Sequence, residues 1–468
     1  MVSDLASGIE ASILGDIWLS NEAFENLTVL CDDFGSRFAG TEGERPAVDF
    51  IVSKLKEYGL ENVVADEFAY TGWRRGEAKL EMLTPKEREL ETISLAMCPP
   101  TPSGGVEADI VYLGPGYPEL FLERKDEIDG KIVLCTSQPR PSGEMVHRRT
   151  KYGYAVKFGA VGFVFVNHNA GQLMPTGSIR PAYRMAGEIS GIGVSWETGC
   201  YLVRQLEKGP VRVRITTTDV VDPEAISWNV IGEIPGGEME DRVIAVGAHF
   251  DGHDIAVGAL DDGAGAVTVM EASRVLAKHK GEFKRTIRFI CFAAEEIGVT
   301  GSTCYVDKHI EEINGIDLMI NCDGAGRADS HVYRVSGPEH LVGYLQGLVD
   351  RMNYDMRVVK SSSAASDHWP FYLQGVPAVT LSAYRGFEEV ARVGRGWGHT
   401  SADTLDKVNP KHLKDAAMVL AQSLVHLANE EGVIAERTPV DEIVMRLEKS
   451  GMVETLRIQR KWHPGSIR

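Results

Sequence analysis

The stretch richest in chemistry is I-R-F-I-C-F-A-A-E-E-I-G, residues 287–298, where an apolar run ends in the paired carboxylates Glu295 and Glu296. A buried strand that delivers two acids to its tip is costly unless a metal or a catalytic role compensates their charge. Four further places put a metal-ligating residue type at or just after an apolar run. They are His249 and Asp251 in A-H-F-D, Asp261 and Asp262 in L-D-D-G, Asp323 in N-C-D-G, and His399 with Asp403 in G-H-T-S-A-D. Alone, each is weak. H-x-D is most often a surface turn, D-D-G a helix entry with a capping acid, and the last two can be helix caps. What shifts the balance is their joint occurrence, in order, at the ends of successive strands. Mixed histidine and carboxylate donors suit zinc, cobalt or manganese, and the lack of cysteine among them argues against a closed structural zinc site.

The elements that must position these residues are legible in the same region. Residues 226–432 repeat strand then helix. Strands are expected at 229–233, 242–248, 286–293, 316–322, 332–336 and 378–382, with helices notably at 263–279, 339–352 and 411–429. Near-continuous apolar strands alternating with helices predict an α/β fold with a largely parallel, buried sheet. Open sheets of this kind bind ligands at the carboxyl ends of their strands, where the candidate residues fall. Upstream, residues 1 to about 40 read as helical, S-R-F-A-G-T-E-G-E-R as a loop, 44–58 as an amphipathic helix, and 63–70 and 78–83 as strands. The turn-rich C-P-P-T-P-S-G-G, residues 98–105, marks a boundary. Beyond it lies a block with its own strands and helices, closed by V-R-V-R-I-T-T-T.

In that block G-K-I-V-L-C (130–135) and F-G-A-V-G-F-V-F-V (158–166) resemble a protease-associated domain. The resemblance implies an inserted module that shapes access to a peptidase site without chemistry of its own. The division expected is a discontinuous catalytic domain at 1–103 and 222–432, the insert at 104–221, and an extension at 433–468 read as a packing or oligomer arm.

H-F-D (249–251), L-D-D-G-A-G (260–265), F-A-A-E-E-I-G (292–298), N-C-D (321–323), S-D-H-W-P-F (366–371) and G-H-T-S-A-D-T (398–404) together resemble the two-zinc exopeptidases. That family includes bacterial leucyl aminopeptidases, glutamate carboxypeptidases and plasma-type carboxypeptidases. The resemblance implies that Asp261 bridges two ions, that His249 and Asp323 complete one, and that Glu296 and His399 complete the other. Glu295 is then the general base. Two divalent ions lower the pKa of a shared water, and an unligated carboxylate takes its proton and passes it to the leaving amine. Strand alternation would turn Glu295 and Glu296 in opposite directions. Asp251 is expected to orient His249, and Asp403 to do the same near His399. Ser366, Asp367 and His368 are expected to shape the site rather than bind metal. Some relatives carry an oxyanion-holding tyrosine just before the last histidine, where this chain has Gly398; Tyr384 is the substitute candidate.

The activity implied is removal of an N-terminal residue from peptides, with two zinc ions, or cobalt or manganese in their place. A carboxypeptidase or dipeptidase on the same metals is the alternative, for which Arg385, Arg392 and Arg395 are candidates to hold a free C-terminus. A non-catalytic binding protein and a glutaminyl cyclase are more distant readings.

Composition is that of a soluble globular protein. The chain has 468 residues, enough for two domains, with 43% hydrophobic and 25% charged residues. A net charge of −18 argues against nucleic acid or an anionic membrane surface as partner. No apolar run approaches the ~18 residues of a spanning helix, and the first residues lack signal-peptide character. The seven scattered cysteines include no C-x-x-C pair. A cytoplasmic setting is therefore expected, with a homo-oligomer left open.

Overall fold

The computed structural model describes residues 2–179, 185–361, 363–384 and 396–462, with side chains from residue 8 onward. Two eight-stranded sheets organise it. In the first, the spatial order is β1 (Glu61–Arg74), β10 (Val220–Ile234), β12 (Arg285–Phe292), β11 (Met239–His249), β13 (Ile316–Asn321), β16 (Ala378–Ala383), β14 (His331–Ser336) and β15 (Arg357–Lys360). The central run β12-β11-β13-β16 is parallel throughout, while β10 joins β12, and β14 joins β16, antiparallel.

The central strands read as unbroken apolar runs because both of their faces are covered. Ile287, Phe289 and Cys291 belong to one core, shared with the helices Ala264–Ala277 and Pro410–Asn429. Ile290 and Phe292 belong to another, shared with Tyr305, Val306 and Phe371. At the opposite end of the sheet from the candidate residues, Arg285 is fully buried and paired with Asp317 at 2.8 Å. A buried guanidinium persists only with such a partner, and its carbonyl contact to Gly432 ties the chain beyond the long helix to the sheet.

The second sheet has the order β3 (Arg88–Leu90), β2 (Ala78–Thr84), β9 (Arg212–Thr217), β5 (Val106–Tyr112), β6 (Ile132–Thr136), β7 (Gly162–Val166), β8 (Gly191–Val194) and β4 (Ile93–Ser94). The sheet that holds the insert's strands thus also takes in strands from before the turn-rich stretch near residue 104. Strands β2 to β4 precede that turn yet pair inside the insert, β2 with β9 and β4 with β8. The physical reason is that pairing partners lie far along the chain, so a local composition change does not mark the sheet's edge. Strands β1 and β10, paired over their length, are the stalk by which the chain leaves and re-enters the catalytic domain. All seven cysteines are free, and six are buried. Among the described residues no helix is long and apolar enough to cross a membrane.

Glu44 opens the helix Glu44–Glu57 and is buried, with Oε2 accepting from the Gly40 N–H at 2.6 Å and Oε1 from the Ser227 hydroxyl. Burial pushes its carboxyl up to about 7, the two hydrogen bonds offsetting only part of that. Above an unfolded value near 4.5, the folded chain keeps a proton that the unfolded chain has lost. This group's contribution to stability is therefore full at low pH and disappears as pH rises through about 7. Glu44→Gln removes the titration. Denaturant unfolding at several pH values should show the wild type losing stability relative to the variant across that window; parallel pH profiles would refute the assignment.

Candidate metal centre

Register brings the candidate residues together. His249, the last residue of β11, lies level with Phe292, the last of β12, and Gly247 pairs with Asn321, the last of β13. Three neighbouring strands therefore end side by side. They release Asp251 and His253, Glu295 and Glu296, and Asp323 within a few residues. Asp261 and Asp262 arrive in the segment Ala259–Gly263 that leads into the helix Ala264–Ala277.

Two groups of donors result. One brings His249, Asp262 and Asp323 together, and the other His253, Glu296 and His399, with ligand atoms within 4.8 Å of one another in each. Asp261 lies between the groups. Its Oδ1 is 3.6 Å from His249 Nε2 and its Oδ2 is 3.3 Å from His399 Nε2. Glu296 Oε2 is 3.2 Å from His399 Nε2 and 2.9 Å from His253 Nε2. Asp323 is the least enclosed of the acids, its side chain 22% exposed, and marks the open side of the cluster.

Around these donors the chain supplies supports. Asp251 is fully buried, with Oδ1 3.4 Å from His249 Nδ1, and its carboxylate also accepts from the backbone N–H groups of Glu295 and Glu296 at 3.2 and 3.3 Å. Asp251 thus holds both the histidine, whose Nδ1 meets its backbone carbonyl at 2.9 Å, and, through its carboxylate, the turn that carries the two acids. That turn departs from the expectation of simple strand alternation. The strand stops at Phe292, and Ala294 takes a left-handed φ of 56°. Asn229 clamps the turn that carries Glu295 and Glu296 by accepting from the Ala293 N–H at 3.1 Å and donating to Gly301 O at 3.0 Å.

Asp403 acts elsewhere than on His399. Its two oxygens accept from the N–H groups of Leu260 and Asp261 at 2.7 and 3.1 Å, so it sets the aspartate loop. His399 Nδ1 instead faces Thr176 O of the insert at 3.3 Å and His253 Nε2 at 3.1 Å, and the Thr176 N–H donates to His399 O. The insert is therefore a direct support of the site. Asp367 is fully buried, and burial, reinforced by repulsion from Glu295, holds its carboxyl well above the usual range. Ser366 Oγ accepts from Asn321 at 2.7 Å, and burial lowers the His368 imidazole to about 4. Tyr384 lies away from the pair: its hydroxyl accepts from Arg357 on the edge strand β15 at 3.0 Å, beneath that residue's guanidinium. An arginine there competes for the phenol, which the short L-S-A-Y-R-G signal did not reveal. Arg385, Arg392 and Arg395 lie outside the described residues.

Three functional neighbours escaped the sequence reading. His253 lies in the same loop as His249, and a second histidine four positions on was the available signal. Arg327, four residues after Asp323, contacts Asp261, Asp323 and Asp262 at 2.9, 3.2 and 3.4 Å. Arg37, fully buried, binds the carbonyls of Phe250 at 2.7 Å and Gly258 at 3.0 Å and so pins both ends of the loop carrying Asp251 and His253. Only its place in S-R-F-A-G-T, far upstream, was visible.

The electrostatics are those of a cation site. Burial pushes Glu295 up to about 8, with His249 opposing and Glu296 and Asp323 adding to the rise. Burial likewise holds Asp262 well above the carboxylate range, and its Oδ2 has no hydrogen-bond donor among the described residues. Burial disfavours a charged His249, but Asp251 and Asp261 outweigh it and hold its pKa well above the usual value. Clustered acids that cannot all ionise alone are stabilised as anions by divalent cations, and histidine with carboxylate is a borderline donor set that zinc accepts. The two donor groups, His249 with Asp262 and Asp323 and His253 with Glu296 and His399, thus fit divalent cations such as zinc.

Comparison with known proteins agrees with this chemistry. Residues 229–424 match Peptidase family M28, and residues 101–202 match the PA domain. Carboxypeptidase Q of Xenopus laevis is 29% identical over 320 residues, 65% of each chain. Carboxypeptidase Q of Mus musculus is 26% identical over 409 residues, 86% of this chain and 84% of that one. A solved structure of a peptidase M28 precursor from Shewanella amazonensis SB2B shares the fold, with a TM-score of 0.79 at 24% identity over 93% of this chain and 99% of that one. Residues 229–424 thus match a family of metallo-exopeptidases, peptidase family M28, and residues 101–202, which lie between the paired strands β1 and β10, match the PA domain.

Proposed function

We propose that this chain is a two-metal exopeptidase that hydrolyses the terminal peptide bond of short peptides. The observation that carries the reading is the Asp261 carboxylate, with one oxygen toward His249 and the other toward His399, and Glu295 close by. His249, Asp261 and Asp323 would hold one ion, and His399, Asp261 and Glu296 the other, with zinc the fitting metal. Bound there, the ions supply a water of lowered pKa and polarise the scissile carbonyl. Glu295 takes the proton from the attacking water and returns it to the leaving amine. Asp251 keeps Glu295 and Glu296 in place through their N–H groups, and Thr176 of the insert holds the His399 loop.

Two directions of attack are compatible with this centre. The motif set resembles enzymes that remove the N-terminal residue. The extent of the likeness to carboxypeptidase Q supports a carboxypeptidase or dipeptidase instead. Chelation followed by zinc add-back should abolish and then restore hydrolysis, with two zinc ions per chain by elemental analysis. In the restored enzyme, cleavage of N-acetylated peptides without cleavage of aminoacyl amides would exclude the aminopeptidase direction.

A further inference from the structure

Arg75 directly follows β1, at the point where the chain passes from the first sheet to the second. All five N–H groups of its guanidinium have acceptors. Nε and Nη2 reach the two carboxylate oxygens of Asp254, each at 2.7 Å. Nη2 also donates to Thr176 Oγ1 of the insert at 3.0 Å. Nη1 donates to the carbonyl of Ser94 on β4 and to its hydroxyl at 3.2 Å. A guanidinium makes such a bidentate pair with a carboxylate; an ammonium does not. The Arg75 and Asp254 side chains are each only 15% exposed, so solvent and salt screen the pair less than one on the open surface.

Two of these partners adjoin histidines of one donor group. Asp254 directly follows His253 in the chain. Thr176 is buried, and its backbone brackets His399: the N–H donates to His399 O at 2.9 Å, and the carbonyl lies 3.3 Å from His399 Nδ1. The rings of His253 and His399 meet edge to face with centroids 4.3 Å apart, and His253 Nε2 is 2.9 Å from Glu296 Oε2. A column of rings runs from Arg75 to the same place. Its guanidinium lies 4.9 Å over Trp73, Trp73 meets Phe38 at 6.1 Å, and Phe38 meets His253 at 5.9 Å. The other donor group is held by different residues: Asp251 on His249, the Gly324 N–H on Asp262 at 2.9 Å, and Arg327 on Asp323 at 3.2 Å.

We infer that Arg75 is a positioning residue for one half of the metal centre: through Asp254 and Thr176 it fixes the two loops that present His253 and His399. The inference rests on the two-metal reading. One planar fork spans three parts of the chain, with Asp254 on the catalytic domain, Thr176 on the insert and Ser94 on the insert's sheet. The insert must therefore be seated for His399 to be held, and the affinity of that half for its ion depends on the seating. Residues that orient metal ligands from outside are worth about 10–100-fold in metal affinity. The half built on His249, with its own supports, should not feel the loss.

Equilibrium dialysis of the full chain against buffered zinc, resolved into two sites, tests the inference. Arg75→Met should weaken one site by about 10–100-fold and leave the other at wild-type affinity. Introduced into Glu296→Gln, which keeps only the His249 site, Arg75→Met should change nothing. Thr176→Val removes the Oγ acceptor but keeps the backbone contacts to His399, so it should weaken the same site by less than Arg75→Met does. Thr176→Ser restores the acceptor and should bind like the wild type. Arg75→Met with Thr176→Val should cost no more than Arg75→Met alone, because both break one link. Equal weakening of both sites by Arg75→Met, or of the site left in Glu296→Gln, overturns the inference, as does wild-type affinity at both sites in Arg75→Met. Should Arg75→Met not fold, Thr176→Val and Thr176→Ser decide it: a difference confined to one site supports the role, and equal affinities overturn it. Fewer than two ions bound by the wild type overturns the two-metal reading itself, and the positioning role with it.

Discussion

Glu295→Gln should lose about 10³-fold in kcat while both metals stay bound, which is the scale of a positioned general base. The substitution keeps shape and volume, so the turn held by Asp251 and Asn229 need not move. What it removes is a carboxylate whose proton affinity is raised by burial and by neighbouring acids. An amide cannot accept the water's proton at neutral pH. Glu296→Gln should behave differently, because Glu296 Oε2 faces His399 Nε2 at 3.2 Å and is proposed to hold a metal. That variant should lose one ion per chain along with its activity. Steady-state rates with elemental analysis on both variants separate the two jobs. Metal loss in Glu295→Gln, or wild-type turnover in it, would falsify the division.

Asp261→Asn should have the larger structural consequence, since one side chain is proposed to serve both ions. Its oxygens face His249 and His399 separately, and an amide offers one oxygen where two are needed. Both metals should weaken by more than the ~10–100-fold that losing an outer-shell partner costs. Asp403→Asn supplies the comparison. Asp403 accepts from the N–H groups of Leu260 and Asp261 and positions the aspartate loop without reaching the cluster. Its loss should stay inside that 10–100-fold range. Equilibrium dialysis against buffered zinc reads both variants. Equal affinities for Asp261→Asn and Asp403→Asn would count against a bridging role.

Much of the catalytic domain was legible because it repeats a strong pattern. Strands β10 to β14 and β16 fall where apolar runs predicted them, since strands covered on both faces leave continuous hydrophobic signatures. The ends of those runs also pointed to the carboxylates and histidines now found within a few ångströms of each other. Tyr384 and Asp403 show where the pattern runs out. Both were placed by neighbourhood in the chain, yet a hydrogen bond to Arg357 and two backbone donors decide their partners. The sheet of the insert takes in strands from before residue 104 for a similar reason: β2 pairs with β9, more than a hundred residues away.

Glu295 and Glu296 summarise that boundary. Residue type and position at the end of an apolar strand were enough, by themselves, to mark them as a charged pair needing compensation. The turn that carries them is set by the left-handed residue Ala294 and the grip of Asp251, neither of which has a local sequence signal. Arg37 and Thr176 belong to the same second class. They come from the N-terminal segment and the insert, and only folding brings them to one centre. Periodicity reports what a segment buries; it carries no information about which distant side chain covers it, because that depends on the packing of whole domains.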